Sequence, residues 1–351
     1  MPLPPLLRTL LLALLCLLAL DACTSLPAMS PKPAQYRHAF GAQPRTLKTA
    51  YGLTLFGQWW IPEDGKPKAV VLLVHGTALH SGFYAPWADE LITHHYAVFG
   101  FDLRGWGQSQ GFGRRGYVRG YDEYLRDLML AWQEVHRRYP DTPLFLQGES
   151  MGGSVALLSN IMNQFPVQGL VLNAPAVKPN PGFGFARLPG PVMSFMLWSG
   201  GNMAKIWPNF PAIPLDLPLI GEQIPRIAFN DDYARQQFLD DPDTTHSWLA
   251  AAYITGIAEA TSRIQDNFVN VQAPFIVLQG TSDHLIPPES AELLVKDAGS
   301  SDKTLKLYPG MAHATLHDAG REKVWSDTLT WMNAHLPAPA GNTVQASVTS
   351  P

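Results

Sequence analysis

A serine hydroxyl attacks a carbonyl only when a base takes its proton, and the base works best when a carboxylate orients it. The sequence offers that set in one order. Ser150 lies in Gly148-Glu149-Ser150-Met151-Gly152, Asp283 in Gly280-Thr281-Ser282-Asp283, and His313 in Tyr308-Pro309-Gly310-Met311-Ala312-His313. The first pattern, G-x-S-x-G, suits a serine on a sharp turn from strand into helix, with glycines where side chains would collide. The helix N-terminus at such a turn stabilises negative charge forming at the reacting centre. The chemistry expected is acyl transfer, with Ser150 as nucleophile, His313 as base and Asp283 as its orienting acid. Two backbone N–H groups must receive the oxyanion. One belongs to Met151, after the nucleophile, and the other to Thr77, in the loop His75-Gly76-Thr77 that follows an apolar run ending at Val74.

Rival assignments fail on context. Gly107-Gln108-Ser109-Gln110-Gly111 repeats the serine pattern, but a Gly- and Arg-rich loop follows it where a helix is required. Gly111 to Gly116 matches G-x-G-x-x-G without a strand before it, so no dinucleotide site is expected. His317 competes with His313, which is favoured by its place after a strand and a glycine turn. Asp302 precedes a strand and so lies at the wrong sheet edge to replace Asp283, and His284 reads as a neighbour of the acid. His75 and His80 precede the serine and are expected to hold their loop by hydrogen bonds. No metal or organic cofactor is needed.

These residues must be positioned by strands and helices in alternation. Val70–Val74, Tyr96–Phe101, Leu144–Leu146, Leu170–Leu172 and Phe275–Leu278 are apolar throughout, as buried parallel strands are, and Leu305–Tyr308 is a weaker last run. Leu125, Leu128, Met129, Trp132 and Val135 recur at helical spacing, as do Val155, Leu158, Ile161 and Met162, and Val324, Trp325, Leu329 and Met332. That alternation predicts an α/β fold with a mostly parallel sheet covered on both faces. Residues from Thr46 to Pro62 predict an antiparallel edge hairpin. From about residue 175 to 266 the alternation stops, and the chain turns helical around Trp248 to Ile264; an insertion of this size predicts a cap over the site. Its apolar stretch through Phe183, Phe185, Met193, Phe195 and Trp198 suits either core packing or a hydrophobic mouth that admits an acyl chain and touches a membrane.

The sequence resembles the monoacylglycerol lipase and lysophospholipase group of α/β-hydrolases. The resemblance is carried by His75-Gly76-Thr77-Ala78-Leu79-His80-Ser81, Asp102-Leu103-Arg104-Gly105-Trp106-Gly107-Gln108-Ser109, Gly148 through Gly153, Gln279 through Asp283, and Lys303 through His313. It implies the α/β-hydrolase fold with an inserted helical cap, and hydrolysis of a carboxylic ester of a lipid, a monoacylglycerol or a lysophospholipid, through an acyl-enzyme. It also implies that Ser109 belongs to a loop motif. Alternatives are a general carboxylesterase, an aminopeptidase of the same superfamily, or a non-catalytic envelope binding protein. An epoxide hydrolase or dehalogenase is disfavoured, because those relatives carry Asp at the nucleophile position.

The chain has 351 residues and a net charge of −4 with no basic stripe, so no nucleic-acid partner is expected. Arg8 and the apolar run Leu10–Leu20 form a secretory-type signal, too short to span a bilayer as a helix. The run ends Leu20-Asp21-Ala22-Cys23, which resembles a bacterial lipobox with Asp21 as a departure; simple signal cleavage and an uncleaved apolar anchor are the alternatives. Cys23 is thus expected to carry a lipid anchor in the cell envelope, and Thr24 after it points to the outer membrane. The only other cysteine is Cys16, so the mature body has no disulfide. The expected organisation is a signal over 1–23, a flexible tether over 24–45, a hydrolase body over 46–336 and a disordered tail over 337–351.

Overall fold

A strand that is apolar along its whole length needs cover on both faces. In the computed structural model, which describes residues 41–180, 202–213, 223–245 and 248–337, the sequence meets that need with a single eight-stranded sheet. Its strands are β1 (Gln43–Lys48), β2 (Thr54–Trp60), β3 (Ala69–Val74), β4 (Tyr96–Phe101), β5 (Leu144–Glu149), β6 (Gly169–Asn173), β9 (Phe275–Gly280) and β10 (Lys303–Tyr308), numbered with a separate short pair, β7 (Pro211–Ile213) and β8 (Leu249–Ala250). The spatial order is β1-β2-β4-β3-β5-β6-β9-β10. The strands from β4 to β10 in that order run parallel, while β1 and β2 form the antiparallel edge hairpin. β3, β4, β5, β6 and β9 are buried at every residue. β10 is the exposed edge, where Lys303 and Lys306 discourage pairing with another chain.

The helices between the strands are α1 (Ala85–Thr93), α2 (Asp122–Arg138), α3 (Met151–Ile161), α7 (Pro288–Asp297) and α8 (Arg321–Ala334). α2, α3 and α8 fall where helical spacing predicts them. α1 and α7 do not show that spacing clearly, yet each carries a proline in its first turn, the position where the missing N–H costs nothing. Between β6 and β9 the chain forms β7, α4 (Gln223–Ala228), α5 (Asp232–Asp240), β8 and α6 (Ala251–Gln265). The pair β7–β8 is too short to show as an apolar run. α5 starts on Asp231, whose carboxylate accepts from Tyr233 N at 2.7 Å and Ala234 N at 3.1 Å.

One boundary departs from expectation. β1 begins at Gln43, inside the stretch expected to be tether, because Gln43, Pro44 and Arg45 stand opposite Trp59, Gln58 and Gly57 in the hairpin. The signal, Cys23, the apolar stretch from Phe183 to Trp198 and the tail beyond residue 337 lie outside the described residues.

The topology puts the loops after β3 and β5 side by side. β3 pairs with β4 on one flank and β5 on the other, so the chain reverses direction across the sheet at this point. A crevice opens at the carboxyl ends of strands at such a switch point. Beneath it, the run Asp102 to Ser109 acts as a brace. Asp102 accepts from Ser81 N and Ser81 Oγ, each at 2.7 Å, and from Gln108 N at 2.8 Å. Arg104, 1% exposed, makes a two-pronged pair with Asp127 of α2, Nε to Oδ2 at 2.7 Å and Nη2 to Oδ1 at 2.6 Å. Its Nη1 lies 3.0 Å from Glu123 Oε1. Removing one partner of such a buried pair strands the opposite charge. Arg104→Ala is therefore expected to cost about 3–5 kcal/mol of stability, read as a lower urea midpoint; a midpoint within error of the parent would contradict this role.

Candidate active site

Ser150 sits between β5 and α3 with φ +53° and ψ −114°, a conformation that residues with a Cβ rarely adopt and that surrounding contacts must enforce. The contacts are visible at two glycines. A Cβ on Gly148 would lie 2.3 Å from Gly152 O, and a Cβ on Gly152 would lie 2.2 Å from Val74 O at the end of β3. Only glycine lets the first turn of α3 fold back so tightly on β3. Ser150 occupies the N-cap of α3 without a side-chain capping bond, so its hydroxyl is not spent on the helix. Met151 opens α3, and its N–H is one of the helix-initial donors that no carbonyl of the same helix can reach.

The loop after β9 brings Asp283. Its Oδ1 accepts from Leu285 N at 2.8 Å and Ile286 N at 2.9 Å, and its Oδ2 accepts from Gln279 Nε2 at 2.9 Å. Oδ2 also lies 2.7 Å from His313 Nδ1, from the loop after β10. With Nδ1 engaged, Nε2 is the nitrogen left for proton transfer. Burial of His313 favours the neutral ring, but the charge and hydrogen bond of Asp283, joined by the charge of Glu149, outweigh it and raise the pKa above the ordinary 6.5.

Ser150, His313, Gly76, Thr77 and Ala78 line one cavity of about 340 Å³. The rest of its wall is mainly apolar and includes Phe229, Phe238, Leu249, Ile254, Ile257 and Leu285. The strand ends thus bring the sequence-predicted residues to one rim: Thr77 after β3, Ser150 and Met151 after β5, Asp283 after β9 and His313 after β10. The rivals lie elsewhere or are committed. Ser109 Oγ donates to Asp102 O at 2.5 Å and accepts from Phe56 N at 2.9 Å. Asp302 pairs with His335 Nε2 at 2.9 Å, ahead of β10. His75 Nε2 accepts from Leu103 N at 3.0 Å, and His80 Nε2 lies 2.8 Å from Asp241 Oδ2.

One feature of the site is not legible as a motif. Glu149, 2% exposed, stands next to the nucleophile. Its Oε2 accepts from the Tyr84 hydroxyl and lies 3.3 Å from His317 Nε2. The same Tyr84 hydroxyl oxygen in turn accepts from Gly76 N at 2.9 Å. Burial works against ionisation of Glu149, but the imidazole of His317, the Tyr84 hydroxyl and His313 hold its pKa below the usual carboxylate value. The G-x-S-x-G pattern leaves this position open, so only the tertiary fold reveals the buried charge. His80, Asp241 and Asp243 also cluster within 4.8 Å. They are bound to one another and to Gln108, whose Nε2 is 3.1 Å from Asp243 Oδ2, and they join the loop after β3 to the segment between α5 and β8.

Residues 65–320 match the family described as serine aminopeptidase, S33. The chain is 31% identical over 267 residues to monoglyceride lipase of Homo sapiens, covering 76% of this chain and 82% of that one. It is 27% identical over 285 residues to monoacylglycerol lipase of Mycolicibacterium smegmatis, covering 81% and 95%. The fold is shared with a soluble variant of monoglyceride lipase from Saccharomyces cerevisiae solved with a substrate analogue, at a TM-score of 0.73 and 20% identity over 90% of this chain and 100% of that one. The chain therefore belongs to the serine aminopeptidase S33 family, as an α/β-hydrolase of the monoglyceride lipase kind.

Proposed function

We propose that the protein hydrolyses a carboxylic ester of a lipid, a monoacylglycerol or a lysophospholipid, through an acyl-enzyme on Ser150. The observation that carries this most is the coincidence of three features at one cavity: a serine on a strained turn, an imidazole backed by a carboxylate at 2.7 Å, and an apolar wall suited to an acyl chain. The similarity to monoglyceride lipases supports the substrate class.

In the reaction, Ser150 Oγ bonds to the ester carbon while His313 Nε2 takes the hydroxyl proton. Asp283 holds the ring through Nδ1 and stabilises its charged form. The backbone N–H groups of Thr77 and Met151 receive the oxyanion, which forms next to the N-terminus of α3. The ester C–O bond then breaks and the proton on Nε2 passes to the departing alcohol. Water repeats the sequence, with its proton taken by His313, and frees the fatty acid and the serine. The apolar wall excludes water from the acyl chain and strengthens each of these interactions.

Ser150→Ala should lower turnover of 1-monoacylglycerol by about 10⁴-fold or more with an unchanged urea midpoint; retained activity would sink the nucleophile assignment. A panel of monoacylglycerol, lysophospholipid, short esters and aminoacyl amides separates the lipid substrates from esterase and aminopeptidase activity.

His313 must be neutral to act as base, so kcat/KM should rise with pH through a midpoint above 6.5. Glu149→Gln removes a negative charge that favours the imidazolium and should move that midpoint down. A midpoint that stays put, or moves up, contradicts the electrostatic role of Glu149.

We also propose that Cys23 carries a lipid that tethers the body to the cell envelope, on the strength of the apolar run before it. Cys23→Ala should shift the protein from the membrane to the soluble fraction on ultracentrifugation; an unchanged membrane fraction would refute lipidation at this residue.

A further inference from the structure

The loop that supplies the Thr77 N–H is held from two sides. Toward the sheet, Gly76 N donates to Tyr84 and Leu103 N donates to His75. Toward the segment between β6 and β9, Ala78 O accepts from Thr245 N at 2.9 Å and His80 meets Asp241. Ala78 has φ +65°, a left-handed conformation that a non-glycine residue keeps only under outside constraint. The contact that reaches Thr77 itself comes from α6, where the Tyr253 hydroxyl lies 2.5 Å from Thr77 Oγ1.

We infer that Tyr253 is a positioning residue, which aims the Thr77 N–H at the oxyanion by fixing the Thr77 side chain from the inserted segment. It rests on the assignment of Thr77 as oxyanion donor. Three observations support it. Tyr253 is 3% exposed, and its ring packs edge-on against Trp106 with centroids 5.9 Å apart. Burial pushes its hydroxyl up to about 12 although the bond to Thr77 opposes this. A Cβ on Gly116 would come within 3.2 Å of Tyr253, so the ring is also backed by the loop before α2. A rigid phenol therefore sets the rotation of the Thr77 side chain, and with it the peptide that carries the donor. An oxyanion exists only in the transition state, so loss of this support should lower kcat and leave KM alone.

The test compares Tyr253→Phe, Thr77→Val and the double variant on p-nitrophenyl butyrate, with Ser150→Ala as control. Tyr253→Phe should lower kcat roughly tenfold, the scale of one lost hydrogen bond, with KM within about twofold. Thr77→Val should give a similar loss, and the double variant little more than either alone, because both remove one shared contact. Urea midpoints report whether each variant folds, and Thr77→Val probes the contact from its other end should the phenylalanine disturb packing. Parent-like kcat in Tyr253→Phe would overturn the inference, as would losses that multiply in the double variant. A raised KM at constant kcat would also overturn it, since the hydroxyl would then act on substrate directly. If Ser150→Ala kept the parent rate, the nucleophile assignment would fail and this inference with it.

Discussion

The close approach of α3 to the end of β3 is the constraint on which the rest of the site depends. It is possible because Gly148 and Gly152 carry no side chains where a Cβ would meet backbone at 2.2–2.3 Å. That approach forces Ser150 into its strained turn and lifts its hydroxyl out of the helix capping role. It also sets the N-terminus of α3 beside the loop His75-Gly76-Thr77. The nucleophile and the Met151 N–H are therefore fixed by one packing contact between a helix and a strand, beside the loop that carries Thr77. A loop scaffold would need many separate contacts to hold them as well.

Charge is arranged around that contact with opposite consequences on its two sides. Asp283 and Glu149 place negative charge near His313, which favours the imidazolium that forms as the serine gives up its proton. On the proposed assignment, the N-terminus of α3 and the N–H groups of Thr77 and Met151 receive the oxyanion. Glu149 is kept charged while buried by Tyr84 and His317. Because Tyr84 also accepts from Gly76 N, the same carboxylate steadies the oxyanion loop. The Asp102–Ser109 run and Tyr253 brace this loop from below and from the inserted segment. Its geometry is thus a joint property of the sheet and the insertion.

Much of this was legible in the sequence because the signals were local. Apolar runs such as Val70–Val74 need no tertiary information to be read as buried strands. A glycine-flanked serine between such a run and a helix reads as a turn. Since parallel strands share an edge, loops after successive runs had to converge, which placed Thr77, Asp283 and His313 beside Ser150 without knowledge of the strand order. What escaped was non-local. Glu149 occupies a position that the serine pattern leaves open, and its partners Tyr84 and His317 lie 65 and 168 residues away. Tyr253 is 176 residues from Thr77 and sits on a helix whose period says only that one face is buried. α1 and α7 announce themselves by a first-turn proline more than by apolar spacing. Gln43 to Arg45 read as tether because a polar edge strand lacks an apolar pattern of its own.

Among the serines of the described residues, Ser150 is the one proposed to be made nucleophilic. Treating the folded protein with an alkyl fluorophosphonate, followed by proteolysis and mass spectrometry, tests this directly, because the reagent bonds only to an activated hydroxyl. A single adduct on the peptide containing Ser150, with activity lost in proportion to labelling, is the expected result. An adduct on Ser109 or Ser81, or full inhibition with Ser150 unmodified, would contradict the account.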